Sequence, residues 1–320
     1  MATGPTTQSN YQSAIQLQYV KKLLATPYPQ NIHTAPADLT TLDSNNGYIA
    51  RFQRINRLQT SLTPITGIVD KAPQRPTNVF IDAKLQLYGD LIMVESVAVL
   101  TNQDPILNSF TNLQGLQIRE TEDLLMRNKY MASAGMLNCT AGSNGDSPTE
   151  PTRSDFDKAA TMLRKANGDL IAPGQIGQDR FGTSPLRPSF LAMCSVDLEP
   201  AFSQGVYGFK ATDQYPNPDL AYGSAEYGSV GFFRVLTSSN GAETANASGL
   251  GRTVYDIILA AKGGAGIVNI ENGGVNYIYR DAITSSALAL YSTTGWTMMY
   301  ANVIKNDQWI LRLRATNQYA

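Results

Sequence analysis

Few residues in this chain have the chemistry that catalysis or metal binding needs. His33 is the single histidine, in a polar, turn-rich stretch with Pro27, Pro29 and Pro36. A catalytic triad or a histidine metal site would have to be built on that unanchored residue. Cys139 and Cys194 are the two cysteines. They form no CxxC pair and have no organised base, so they read as buried or free thiols. Glu120, Glu122 and Asp123 are clustered carboxylates, but Arg119 and Arg127 flank them. On a helix this alternation makes a solvated or intersubunit salt-bridge face, not an acid–base or metal site. Gly263-Gly264-Ala265-Gly266 is glycine-dense enough to cradle a phosphate. No Gly-Lys-Ser/Thr or full GxGxxG follows, and Ile267–Ile270 reads as strand, which predicts a tight strand connection instead. Arg51, Arg54 and Arg57 could touch nucleic acid, yet Ile49, Phe52, Ile55 and Leu58 interleave with them. Subunit contact is the better reading. No segment presents a catalytic constellation, and the residues predict a structural protein that is no enzyme and needs no cofactor or metal.

Composition points the same way. The 320 residues are 42% hydrophobic and 16% charged, with a net charge of -1. An ordinary soluble domain carries about 25% charged residues. Normal apolar content and near-zero net charge exclude charge-driven disorder, and the absence of a basic excess excludes a dedicated polyanion binder. A surface poor in charge belongs to a chain that meets much other protein. The longest apolar stretch, Leu91 to Leu100, is broken by Glu95 and too short to span a membrane. The opening MATGPTTQSN lacks the charged-then-apolar pattern of a secretory signal. Together these predict a soluble protein made in a cytoplasm.

The elements that must position these residues follow from spacing. Residues 1–46 read as an arm with one candidate helix, Tyr11 to Leu24, that docks on the body or on a neighbouring chain. Residues 48–58 repeat with period three, which fits neither helix nor strand and stays undecided. Val79, Ile81, Ala83, Leu85 and Leu87 alternate with polar or outward residues, the period of a half-buried strand. Between these segments lies a stretch with Pro64, Gly67, Pro73 and Pro76 and little to bury, which predicts a long two-stranded finger. Asp104-Pro105 opens a helix to about Ala134, with Ile106, Phe110, Leu113, Leu124 and Met131 on its apolar face. Ser154 and Asp157 predict a capping box for a helix that runs to Asn167-Gly168. Phe190–Cys194, Gly231–Leu236, Val254–Leu259 and Ile267–Ile270 read as strands. Gly295–Ile304 and Gln308–Arg314, joined at Lys305-Asn306-Asp307, read as a terminal antiparallel set packed on the long helix.

The order of these parts resembles the tailed-bacteriophage major capsid protein, the Hong Kong 97 (HK-97) fold, and its details look like the subgroup typified by the coliphage N-four capsid protein. The resemblance is carried by GYIARFQRINRL and AKLQLYGDLIMVESV around the finger and by DPILNSFTNLQGLQIRETEDLLMRN as the long helix. SDFDKAATMLRKANG, RPSFLAMCSVDLEPAF, EYGSVGFFRVLTS and TGWTMMYANVIKNDQWILRLRA follow in the same order. The YG closure of the finger and Glu226-Tyr227-Gly228 with Arg234 are the most telling pieces, while residues 138–153 and 205–225 match no pattern. The resemblance implies an α+β fold with an N-terminal arm (1–46) and an extended E-loop (47–90). It further implies a P-domain (91–137 and 276–320, with a spine helix at about 105–134) and an A-domain (138–275). It implies a shell of hexamers and pentamers of this one chain around double-stranded DNA contacted non-specifically, in a virion assembled in a bacterial cytoplasm, with no membrane. Portal and decoration proteins are implied partners, and so is a separate scaffolding protein, since no long helical extension precedes the arm. Arg51, Arg54, Arg57, Lys71, Arg119, Glu120, Glu122, Asp123 and Arg127 are the candidate intersubunit contacts. Some relatives crosslink a finger lysine to an asparagine, but no matching motif surrounds Lys71. An encapsulin-type cage and a receptor- or glycan-binding tail component are the rival readings.

Overall fold

The end of the arm and the period-three segment after it both form strands. The computed structural model describes residues 27–45, 47–65, 71–101, 106–132, 135–140, 148–171, 188–215, 223–244, 252–271, 274–285 and 288–317. In chain order the elements are β1 (Asp38–Leu42), β2 (Ile49–Ile55), β3 (Asn78–Lys84), β4 (Gln86–Glu95), α1 (Ser96–Thr101), α2 (Ile106–Met131), β5 (Met136–Asn138) and α3 (Arg153–Lys165). Next come β6 (Phe190–Ser195), α4 (Glu199–Gly205), β7 (Phe209–Ala211), β8 (Glu226–Val230), β9 (Phe233–Ser238) and β10 (Ala242–Thr244). The chain closes with β11 (Val254–Ala260), β12 (Ala265–Ile270), β13 (Val275–Arg280), α5 (Ala282–Ser285), β14 (Tyr291–Ile304) and β15 (Ile310–Thr316). The candidate helix at 11–24 and the Asp104-Pro105 cap lie outside the described residues.

β2 and β3 pair antiparallel as the two-stranded finger. Ala50 and Phe52 turn inward opposite Ala83 and Ile81, whereas Ile49 and Ile55 are exposed. Burial therefore follows period two, and the three-residue repeat does not set it. The alternation predicted through Leu87 holds only to Leu85. The Leu85 amide donates to the Tyr48 carbonyl at 2.9 Å, which closes the finger. Beyond it the chain exchanges β2 for β14 as partner; Leu87 stays on the face of Leu85, opposite Met299, but burial ends there and Leu87 is 68% exposed.

Two sheets form the body. One is ordered β1-β12-β14-β13, with β4 on the other side of β14. The fourteen-residue β14 pairs along one edge with β4 and along the other with β12 and then β13. The second sheet is ordered β5-β15-β11-β6-β9-β8-β7, with β10 beside β11. Their spacing predicts one antiparallel set for the last two strands. They lie in different sheets instead, because β14 already has strands on both edges and residues 305–309 carry the chain across to β11. Residues 276–320, grouped in the sequence as one unit with the long helix, are therefore divided between two sheets. The glycine run is a tight connection, as predicted, but it too crosses between sheets, from β11 to β12. Gly263 has φ +71°, and a Cβ at Gly266 would stand 2.6 Å from the Lys305 side chain.

α2 covers β14 on one face. Trp296, Met298 and Tyr300 pack toward Ile118 and Leu125, and the Trp296 indole donates to Gln117 Oε1 at 3.0 Å. The predicted apolar face is rotated, since Leu113 is exposed and Gln114, Asp123, Met126 and Tyr130 are buried. Gln114 is satisfied there by donating to the Thr294 carbonyl at 3.1 Å. The capping box of α3 also sits two residues earlier than Ser154 and Asp157. Thr152 donates from its backbone to the Asp155 carboxylate at 3.1 Å, while Asp157 pairs with Arg153 at 3.0 Å. α3 lays Phe156, Ala160 and Leu163 on the second sheet, where Phe156, Phe190, Phe202 and Phe233 form a chain of rings with centroids 5.7–5.8 Å apart. Phe233→Ala removes the centre of that chain and is expected to cost about 3–5 kcal/mol, read as a lowered denaturant midpoint with an unchanged slope.

Candidate assembly surfaces

The carboxylate cluster of the long helix works inside the chain. Asp123 is fully buried, not on a solvated or intersubunit face. Its Oδ1 accepts the His33 backbone N–H at 2.7 Å, and its Oδ2 lies 2.7 Å from His33 Nδ1. His33 is equally buried, so the sequence expectation of an unanchored residue is corrected. Its neighbour Ile32 is buried with Met126 and Tyr130, and that apolar contact gives the arm its seat. Glu120 accepts from Asn240 Nδ2 at 3.1 Å, and Arg127 donates to the Asn240 carbonyl at 2.9 Å. The Ser238 hydroxyl donates to the Gln30 carbonyl at 2.5 Å. Burial first, and then the Glu120 carboxylate beside it, push the Tyr28 hydroxyl pKa well up. Residues 120, 123 and 127 thus sit on one helix face and clamp both the arm and the β9–β10 turn. Tyr28, Ser238 and Asn240 escaped the sequence reading, because nothing local to them marks a partner some ninety residues or more away. Arg119 is exposed, and Glu122 is half-buried, with burial raising its pKa against the lowering by Arg119.

The other candidate contacts, Arg51, Arg54, Arg57 and Lys71, lie on the finger, one of two exposed surfaces that combine apolar residues. On the finger, Arg51 and Asp82 are directly opposed and bridge at 2.7 Å, with the guanidinium 5.7 Å over the Phe80 ring. Arg54 and Arg57 line a polar recess with Asn306, Asp307 and Gln308. Lys71 donates to Ser61 Oγ at 2.6 Å and to the Thr63 carbonyl, which ties the two sides of the finger together. The same finger exposes Ile55, Leu58, Leu62 and Ile65, with Leu62 at 89%. A monomer gains nothing from a projecting hairpin with apolar residues on its outside, and such patches mark interaction sites. The second place is the sheet face opposite α2. Leu87, Leu91 and Met93 of β4 point there and are exposed, next to Ile278 of β13, over an open groove that also includes Gly295 and Thr297.

Cys139 and Cys194 are fully buried and unbridged, and burial pushes both thiols up in pKa. Among the described residues no group of three or more His, Cys, Asp and Glu could hold a metal ion, and no helix is long and apolar enough to cross a membrane.

No family model and no curated protein matches this sequence. Solved structures do match, over nearly the whole chain. The head of Helicobacter pylori bacteriophage KHP40 superposes with TM-score 0.67 at 9% identity, covering 98% of this chain and 99% of that one. The capsid of cyanophage P-SCSP1u gives TM-score 0.65 at 13% identity, covering 99% and 97%. The holo-SrpI encapsulin of Synechococcus elongatus gives 0.60 at 11%, covering 99% and 98%. The mixed α+β fold is therefore the HK-97-like one of these capsid structures.

Two measurements check the site. Asp123→Ala orphans both His33 donors, at about 1–3 kcal/mol each, and is expected to speed amide exchange across residues 30–37 relative to the wild type. Both native thiols are expected to stay unreactive toward an aromatic disulfide reagent at pH 8 until the chain unfolds.

Proposed function

We propose that this chain is the major capsid subunit of a tailed bacteriophage, of the subgroup typified by the coliphage N-four capsid protein. It assembles with itself into hexamers and pentamers of an icosahedral shell around double-stranded DNA. Full-length likeness to phage capsid structures supports this reading, and the observation that carries it is the exposed apolar finger, which has no use on an isolated subunit. In this reading β2 and β3 form the E-loop, α2 is the spine helix, and the second sheet with α3 and α4 is the A-domain. The finger lies on a neighbour, and many modest contacts add up through multivalency, so no single interface need be strong. Arg51, Arg54, Arg57 and Lys71 are its polar contacts, while Arg119 and Glu122 remain available on the helix. Scaffolding, portal and decoration proteins are the further partners of such a shell.

The encapsulin match supports a second reading, a cage enclosing an enzyme. Expression of the chain separates the two. Closed particles by electron microscopy with DNA packaged in an infected host support the phage head, whereas particles with a co-purified protein cargo support the cage. A clean small monomer under all conditions, with no particles, overturns both. Deleting residues 58–74 is expected to abolish particles while leaving the subunit's unfolding transition in place. Particles boiled in detergent are expected to run as monomers, because Lys71 is engaged within its own finger; a ladder overturns that point.

A further inference from the structure

We infer that the β1-β12-β14-β13 sheet continues across a subunit boundary, the outer edge of β4 receiving the outer edge of β13 from a second copy of this chain. This rests on the shell-forming reading but names a contact which that reading does not require. Among the described residues β4 pairs only with β14, and so does β13. Each leaves a row of backbone N–H and C=O groups on its outside. Proteins ordinarily blunt such edges with lysine, proline or a bulge. Neither strand contains a lysine or proline, and neither ladder with β14 is bulged. Asp90 does not guard the β4 edge, because its carboxylate accepts from Gln117 Nε2 at 2.5 Å and from the Leu91 amide at 2.8 Å. All six residues of β13 are exposed, as are Leu87, Leu91, Met93 and Glu95 of β4.

Register and charge select the partner. β4 and β13 both run antiparallel to β14 and so point the same way. Arg280 and Met93 are level, both opposite Thr293. Ile278 and Leu91 are level at Gly295, and Val275 and Tyr88 at Met298. A copy displaced sideways by the width of these strands sets its β13 parallel to β4 in that same register. Its Arg280 then falls within two residues of Glu95, its Ile278 joins Leu91 and Met93 on the open face, and its Tyr279 meets Ile92 on the α2 face. Reversing β13 would put Arg280 beside Tyr88 and bring no charge to Glu95. Two unlike edges meeting make a heterologous contact, which closes into a ring when the sideways step is combined with a rotation of one-sixth or one-fifth of a turn, as hexamers and pentamers require.

The test is a Leu91→Cys, Ile278→Cys double variant, assembled and oxidised. Within one chain these positions are two strand spacings apart, about 9.6 Å, beyond the roughly 7 Å limit for a disulfide. Any bridge must therefore join two chains, and the buried native thiols supply none. The expected result is a ladder of covalent multimers on a non-reducing gel, with each single variant running as monomer. Assembled double-variant particles that yield monomers only overturn the edge contact and leave the shell reading intact, whereas a wild-type chain that forms no particles overturns both. If the double variant does not assemble, amide exchange in wild-type particles decides. Slowing of both 86–95 and 275–280 by about tenfold or more against dissociated subunits supports the contact, and unchanged exchange in either strand overturns it.

Discussion

Two chain crossings make one body of two sheets. β11 passes to β12 through residues 261–264, and β14 passes to β15 through residues 305–309, side by side. The Gly264 carbonyl accepts from the Lys305 and Asn306 amides at 2.8 and 3.1 Å, and the Ala261 amide donates to the Trp309 carbonyl at 3.0 Å. The Trp309 indole donates onward to the Ala166 carbonyl at the end of α3, also at 3.0 Å. Lys305 pairs with Asp38 at the start of β1 at 3.2 Å and lies 5.1 Å over the Phe52 ring at the finger base. The arm, the finger and α3 are all referenced to this seam. Gly263 suits the crossing because its φ of +71° is one that side-chain-bearing residues rarely adopt, and the absence of a Cβ at Gly266 leaves room for the Lys305 side chain.

The arm and long helix complete that frame from the other side. Residues 28–33 lie between α2 and the β9–β10 turn, and their polar contacts converge on Glu120, Asp123 and Arg127 while Ile32 enters the apolar layer with Met126 and Tyr130. A buried carboxylate is tolerable here because two donors from His33 satisfy it. The same helix turns a different polar row, Gln114 and Gln117, to β14. That explains why α2 has no continuous apolar stripe although most of it is packed.

The parts that face outward are consistent with one another. The finger, the open face of β4 and the edges of β4 and β13 all present apolar residues that no other described residue covers, and only 16% of the residues in the chain are charged. Contiguous exposed apolar patches of this kind differ from the singly scattered apolar residues of an ordinary protein surface. The single histidine and both cysteines, by contrast, are buried.

Much of the local structure was legible in the residues. The finger, the long helix, the helix α3 and the strands around Phe190, Phe233 and Val254 follow from period, turn residues and composition, because each pattern acts within a few residues. What local pattern could not decide was which edges meet. Burial of Gln114 in place of Leu113, the exposure of Leu87, the division of the last two strands between sheets and the pairing of His33 with Asp123 all depend on partners far along the chain. Those choices belong to the tertiary structure, since the free energy of burying a side chain depends on what covers it, and that is fixed only when the sheets, the helix and the arm close on one another.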